Sequence, residues 1–337
     1  MTEATMRDKQ PSMTDVARAA GVSAQTVSRT LRNSPNVNAE TRRRVLDAVE
    51  QLKYRYNGAP RLLSSGRSFT LGLVLLQAGG YYSRSGVTAG VEAAAGQAGY
   101  SVSIATIAEL DTALMEKSLL KLSDQGVDGI IIAVPLISVT QRMEDITRDI
   151  PTVTVDGSRT TGARVLGIDQ HEAGRAATQH LLDLGHSQVW HVAGPDEWIE
   201  ARQRRQGWQE CLAAAGIDAP PALEGDWSPE SGYRLGQILA MIPEVTAVFV
   251  ASDEMAFGLI KALRERGRSV PQDVSIVSVD DIELAAYCHP PLTTVRQDFY
   301  RSGAAAVALL LDTESEGESL TPATLIVRES TAAPRPR

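Results

Sequence analysis

Between residues 71 and 279 short apolar runs alternate with helix-patterned segments. This alternation constrains the fold more than any other feature of the chain. Leu71–Leu76 is a continuous apolar run, as expected of a strand buried on both faces. Strands follow at Tyr100–Ala105, Gly129–Val134 and Val153–Asp156, with helices over 86–98, 113–124 and 139–148. A second series places strands at Val165–Ile168, Val189–Ala193, Ala247–Ala251 and Val274–Val279. Its helices run over 172–184, 202–215, 231–240 and 254–266. Such alternation predicts an α/β fold with doubly wound parallel sheets. Two consecutive series suggest two lobes with a cleft between them.

In sheets of this kind ligands sit beyond the carboxyl ends of the strands. Asp156, Ser252-Asp253 and Asp280-Asp281 stand immediately after predicted strands, and Arg204 is read at the start of a helix after another. Tyr81, Tyr82, Trp198, Trp227 and Phe299 fall in loops or at element ends. Carboxylates and an Arg can hold several hydroxyls at once, and flat rings cover the apolar faces of a sugar. The combination favours a polyhydroxylated ligand. Asp253 also reads as the cap of the helix 254–266, Asp281 as structural, and Trp190 and Trp208 as core.

Residues 13–33 follow a different pattern. Thr14 is suited to cap a first short helix, with Asp15 at the positive end of its dipole. Val16, Ala17 and Ala20 share its inner face, and Gly21 can end it in the left-handed conformation. Ser23 caps a second helix whose Val27 and Leu31 face inward. Gln25, Thr26, Ser28, Arg29 and Arg32 form an outer face without an acid. This is a helix-turn-helix pattern, whose second helix enters the DNA major groove. Asn38 caps a third helix with an apolar stripe at Val45, Val49 and Leu52, beside Arg42, Arg43 and Arg44.

A solvated helical hairpin would share the turn pattern, but charge separates the readings. Residues 1–67 hold twelve Lys and Arg against six Asp and Glu, a net of +6, while the whole chain is −8. The remainder therefore carries −14. A basic head on an acidic body suits a duplex-binding module joined to a sensor, because phosphate neutralisation supplies most non-specific affinity. Residues 57–67 read as a linker punctuated by Gly58, Pro60 and Gly66. A short helix can begin at Pro60. Leu63 then either wedges into a minor groove or docks onto the next domain. Met1–Gln10 is polar and no stretch of about 20 apolar residues occurs, so no membrane association and a cytoplasmic location are expected. Cys211 and Cys288 fit neither a disulfide framework nor a metal site, and no cofactor is expected.

The segments Asp15-Val16-Ala17, Ala20-Gly21-Val22-Ser23, Thr26-Val27-Ser28-Arg29 and Val248–Gly258 resemble the LacI/GalR family of bacterial transcription factors, as do Gly225–Ser228 and Pro290–Phe299. The resemblance runs from residue 12 to 337. It implies a helix-turn-helix head (1–56), a hinge (57–68) and a two-lobed sugar-binding core (69–333). The N-lobe would comprise 69–168 and 298–326, and the C-lobe 169–297 and 327–333. It further implies a homodimer on a palindromic double-stranded DNA operator, released when a small sugar binds. Residues 328–337 carry no leucine heptads and two prolines, so assembly beyond a dimer through a terminal coiled coil is not expected.

Matched position by position, Ala24, Gln25 and Arg29 would read bases, with Thr14, Ser23, Thr26 and Ser28 beside them and Leu63 as the minor-groove wedge. The effector site would hold Asp156, Arg204, Trp227, Asp280, Gln297 and Phe299. Ser252 stands where Asn is usual, and Tyr81 or Tyr82 would reshape the pocket. The reading is a non-enzymatic transcriptional repressor induced by a β-galactoside or related disaccharide. A corepressor-dependent regulator or an activator is the alternative. From other classes, a sugar-acting enzyme would use Asp156 and Asp280 as its acid/base pair, and a solute-binding protein would share the core. The basic head argues against the first, and the absence of a signal-peptide pattern in Met1–Gln10 against the second.

Overall fold

The computed structural model describes residues 11–31, 36–54, 67–77, 81–135, 139–155, 164–312 and 319–335. Residues 57–66 of the expected hinge, with Pro60 and Leu63, and Asp156 lie outside the described residues. The chain divides into two units, Met1–Arg67 and Ser68–Arg337.

In the first unit α1 (Met13–Ala20), α2 (Ala24–Leu31) and α3 (Ala39–Gln51) surround a small core of Val16, Ala17, Ala20, Val27, Val45 and Ala48. Gly21 closes α1 at φ 63°, a left-handed conformation that a glycine adopts without strain. The N-cap of α1 is Ser12 rather than Thr14. Ser12 Oγ accepts from Asp15 N–H while the Asp15 carboxylate accepts from Ser12 N–H, a reciprocal capping box that a Thr14 cap would forgo. Asn38 caps α3 through Thr41 N–H at 2.7 Å.

The second unit is built on two sheets. The first contains β1 (Thr70–Leu76), β2 (Ser101–Ile107), β3 (Gly129–Ala133), β4 (Thr152–Val155), β5 (Arg164–Ile168) and β11 (Ser319–Thr321) in the order β11-β5-β4-β3-β1-β2, all parallel. The second contains β6 (Trp190–Ala193), β7 (Leu223–Glu224), β8 (Ala247–Val250), β9 (Ser275–Asp280), β10 (Thr293–Arg296) and β12 (Thr324–Ile326) in the order β12-β10-β9-β8-β6-β7. Only β12 is antiparallel to its neighbour. Helices α4 (Tyr81–Gln97), α5 (Thr112–Asp124), α6 (Gln141–Thr147) and α11 (Phe299–Leu311) cover the first sheet. The second packs with α7 (Gln170–Asp183), α8 (Ile199–Ala214), α9 (Pro229–Leu239) and α10 (Asp253–Glu265). The unbroken apolar run of β1 has the expected cause. Leu71, Leu73 and Leu75 pack on one face while Val74 and Leu76 pack on the other.

Several expected boundaries move. Helix α4 begins at Tyr81, so the tyrosines are helical rather than in a loop. Gly86 is a packing residue inside it, because an added Cβ would lie 2.7 Å from Phe299 Cβ. Arg204 lies in the second turn of α8, which starts at Ile199. Asp253 is the first residue of α10, and its cap is Ser252, whose Oγ accepts from Met255 N–H at 3.3 Å. Residues 324–326, assigned by sequence to the first lobe, pair with β10 in the second. The chain therefore crosses between the sheets at 168–170, 296–299 and 321–324. The very short β7, β11 and β12 give too little alternation to be read from sequence.

Helices α4 and α11 approach so closely at Gly90 that an added Cβ would lie 2.0 Å from the Tyr300 carbonyl oxygen, whereas Gly96 has nothing within 4 Å. Gly90→Val is expected to destabilise the second unit by at least about 3 kcal/mol through overpacking. Gly96→Ala is expected to stabilise it by about 0.5 kcal/mol. Urea unfolding followed by tryptophan fluorescence checks both, and equal effects would contradict the packing described.

Candidate functional site

In the first unit α2 turns Val27 and Thr30 inward and leaves Ala24, Gln25 and Arg29 exposed. Thr26 and Ser28 are half-buried and Ser23 is exposed. Ser23 Oγ accepts from Thr26 N–H at 3.1 Å and meets the Thr26 hydroxyl at 2.9 Å, so this pair fixes the start of the helix. Arg42 Nη1 donates to the Thr30 carbonyl, tying α3 to α2, while Arg43 and Arg44 are exposed. Thr14 is exposed on α1. The outer face of α2 thus offers an amide and a guanidinium, the groups that bond base edges in pairs.

In the second unit a cleft of about 820 Å³, open mouth included, lies at the carboxyl ends of the strands of both sheets. One wall is mainly apolar, with Leu75 and Leu76 at the end of β1, Ala133–Pro135 after β3, and Val155 of β4. The other is mainly polar, with Gln170, Glu200, Arg204, Ser252, Glu254, Asp280 and Gln297. Trp198, Trp227 and Phe299 complete the lining. Of the expected effector residues, Arg204, Trp227, Ser252, Asp280, Gln297 and Phe299 are brought together. Tyr82 is half-buried and does not line the cleft, while Ser83 and Arg84 do. Asp156 and the Tyr81 side chain lie outside the described residues.

Arg204 is 3% exposed. Its Nε donates to Gln170 Oε1 at 2.8 Å, an Nη donates to the Ala251 carbonyl, and its guanidinium carbon sits 5.7 Å from the Trp227 ring centroid. Gln170 Nε2 donates to Gln297 Oε1 at 3.0 Å, and Gln297 Nε2 donates to Asp280 Oδ1 at 2.6 Å. Trp227 and Trp198 meet at 5.4 Å with planes tilted by 60°. Trp227 lies over Gly194, where a Cβ would come within 2.2 Å of the indole. Trp198 packs against apolar clusters of both lobes.

Burial pushes the Asp280 carboxyl well above its ordinary value, and the Asp253 charge pushes the same way. Arg204 and the Gln297 amide oppose them. Asp280 and Asp281 have φ of 128° and 56°, strained for non-glycine residues. The strain is held from outside. Asp253 Oδ2 accepts from Ile282 N–H at 2.9 Å, and Asp281 is bound by Arg296 and Arg328. Asp253 Oδ1 accepts from the Ser278 hydroxyl and from the Thr294 hydroxyl at 2.7 Å. Burial nevertheless raises Asp253 to about 6, against these three donors.

Sequence reading did not single out Gln170, Glu200 or Glu254. Gln170 carried a usable signal, since it follows a strand and stands one residue after Asp169, the helix cap. Among the described residues no group of His, Cys, Asp or Glu is arranged to hold a metal ion, and no helix is long and apolar enough to cross a membrane. Both cysteines are free.

Residues 12–57 match the family model "Bacterial regulatory proteins, lacI family", and residues 178–331 match "Periplasmic binding protein-like domain". The chain is 33% identical to the lactose operon repressor of Escherichia coli (strain K12) over 334 residues, covering 97% of this chain and 92% of that protein. Its fold superposes on a lac repressor dimer bound to operator and the anti-inducer ONPF with a TM-score of 0.86, at 32% identity over 96% of this chain and 100% of that one. A complex of the transcriptional regulator CelR with cellobiose gives 0.69, at 30% identity over 95% and 99% of the two chains.

Asp253 ties the cleft floor together, and its titration is measurable. Folding raises its value from 3.8 to about 6, so its contribution is fully present below 3.8 and is lost as pH rises through about 6. Asp253→Asn removes this titration. The stability of wild type minus variant, from urea unfolding across a pH series, should be largest near pH 4 and fall as pH rises through about 6. A difference independent of pH would assign the buried proton elsewhere.

Proposed function

Since this chain belongs to the lacI family of bacterial regulatory proteins, transcription regulators that catalyse no reaction, we propose that it is a cytoplasmic repressor induced by a small sugar. The operator is a palindrome of double-stranded DNA bound by a homodimer, whose two-fold symmetry matches two half-sites. Ala24, Gln25 and Arg29 read bases in the major groove, flanked by Thr14, Ser23, Thr26 and Ser28, and Leu63 of the hinge is the minor-groove wedge. Asp156, Arg204, Trp227, Ser252, Asp280, Gln297 and Phe299 form the effector site, with Tyr81 shaping its edge.

The observation that carries the reading is the two-faced cleft. Its polar wall offers carboxylate acceptors and guanidinium and amide donors for hydroxyls, and its apolar wall covers carbon faces. A pyranose has both kinds of surface. The effector class we favour is a β-galactoside or a related disaccharide. The likeness to a cellobiose-bound regulator supports a disaccharide of either kind. Sugar favours a lobe arrangement that misplaces the DNA-binding heads, so sugar and operator weaken each other's binding by the same factor.

Fluorescence anisotropy of a labelled palindromic operator, with mono- and disaccharides added, tests the proposal. Release by one sugar is expected, and binding that falls steeply with salt. A requirement for the ligand in order to bind would overturn the repressor reading in favour of corepression. Gln25→Ala and Arg29→Ala are each expected to weaken operator discrimination by about 10-fold or more, corresponding to the roughly 1–3 kcal/mol of a bidentate base contact. Arg204→Ala should keep operator binding and lose release by sugar. Normal release by that variant would remove Arg204 from the site.

A further inference from the structure

The hydrogen-bonded series in the cleft has a topological property that its chemistry alone does not reveal. Gln170 lies in the first chain crossing between the lobes and Gln297 in the second. Their side-chain amides bond directly at 3.0 Å, joining residues 127 apart in the chain. The third crossing joins the first through Asp169 N–H, which donates to the Thr321 carbonyl at 3.2 Å. All three segments about which the lobes can turn are therefore tied to one another.

The direction of the side-chain series is forced. Arg204 only donates, so Gln170 must offer it Oε1 and turn its NH2 toward Gln297. Gln297 then accepts at Oε1 and gives its own NH2 to Asp280. Its backbone N–H also donates to the Asp280 carbonyl at 3.0 Å. Gln170 and Gln297 are 4% and 8% exposed, so neither amide can flip and find water instead. Arg204 and Asp280, at the two ends of the series, both line the cleft. A ligand hydroxyl that draws on either end competes with the series at that end.

We infer that Gln170 is a positioning residue that couples the effector site to the lobe crossings, through its amide bond to Gln297. The inference rests on the effector reading given above. When effector engages Arg204 and Asp280, the tie between the first two crossings is altered, and the lobe angle follows.

Gln170→Glu is the discriminating variant. Its carboxylate keeps the acceptor for Arg204 but presents oxygen to Gln297 Oε1, so it removes the tie alone. Gln170→Met, uncharged and of similar size, removes both bonds and serves if the charged variant fails to fold. Three readouts are made on the full chain. They are hydrogen exchange at the Asp169 and Gln297 amides without sugar, operator affinity with and without lactose or cellobiose, and sugar affinity of the DNA-free protein by tryptophan fluorescence.

For Gln170→Glu, exchange at both amides should accelerate by about 10-fold or more. The ratio of operator affinities without sugar and at saturating sugar should fall about 10-fold or more, a larger factor than any change in DNA-free sugar affinity. Unchanged exchange at both amides overturns the tie, whatever the effector proves to be. Parallel loss of sugar affinity and coupling makes Gln170 a plain ligand contact and also overturns it. A wild type released by neither sugar counts against the disaccharide reading, while the exchange measurement still decides the tie.

Discussion

A carboxylate removed from water must be held by the chain itself, and Asp253 is held from three directions. Its oxygens take hydroxyls from Ser278 on β9 and Thr294 on β10, and the backbone N–H of Ile282 beyond β9. One side chain at the start of α10 thereby fixes two strands and the turn after them. That turn is where Asp280 and Asp281 adopt positive φ. Conformations of this kind cost about 1–3 kcal/mol each and persist only where the surroundings over-determine them. Asp280 can be a strained, half-buried acid facing the cleft because Asp253, Arg296 and Arg328 hold the backbone around it.

The cleft gathers residues from the ends of many strands, and this follows from the parallel topology. Parallel strands send all their carboxyl ends to one edge of the sheet, so side chains far apart in sequence converge there. Two such edges face each other here. Three crossings connect them, and two of the crossings contribute polar side chains to the lining, Gln170 and Gln297. A ligand that touches the lining is thus never more than a few bonds from the segments that set the lobe angle. For a regulator this proximity matters, because a ligand shifts a conformational equilibrium only by its differential affinity for the two states.

Much of the fold was legible because its signals are local. Gly21 ends α1 and Ser23 and Asn38 start their helices as a short-range reading expects, since a cap needs only a side chain and an amide a few residues away. The reading failed where two local signals competed. Ser12 and Thr14 can both cap, and the reciprocal bond with Asp15 chose Ser12. Gly86 looked like a boundary, yet its missing side chain makes room for Phe299, more than two hundred residues later. Nothing near Gly86 in the sequence carries that information.

The sequence by itself determined the element order, the two parallel series, the basic helical head and a set of polar residues after strands. Those features depend on periodicity, capping and charge, which act over a few residues. Only the tertiary structure decided that Gln170 joins Arg204 to Gln297, that Asp253 is a buried tie rather than a cap, and that β12 belongs with the second sheet. Each of these joins residues between 25 and 127 positions apart. Such pairings form only when the sheets close on their helices, because burial then leaves each polar group no partner except the one the fold supplies.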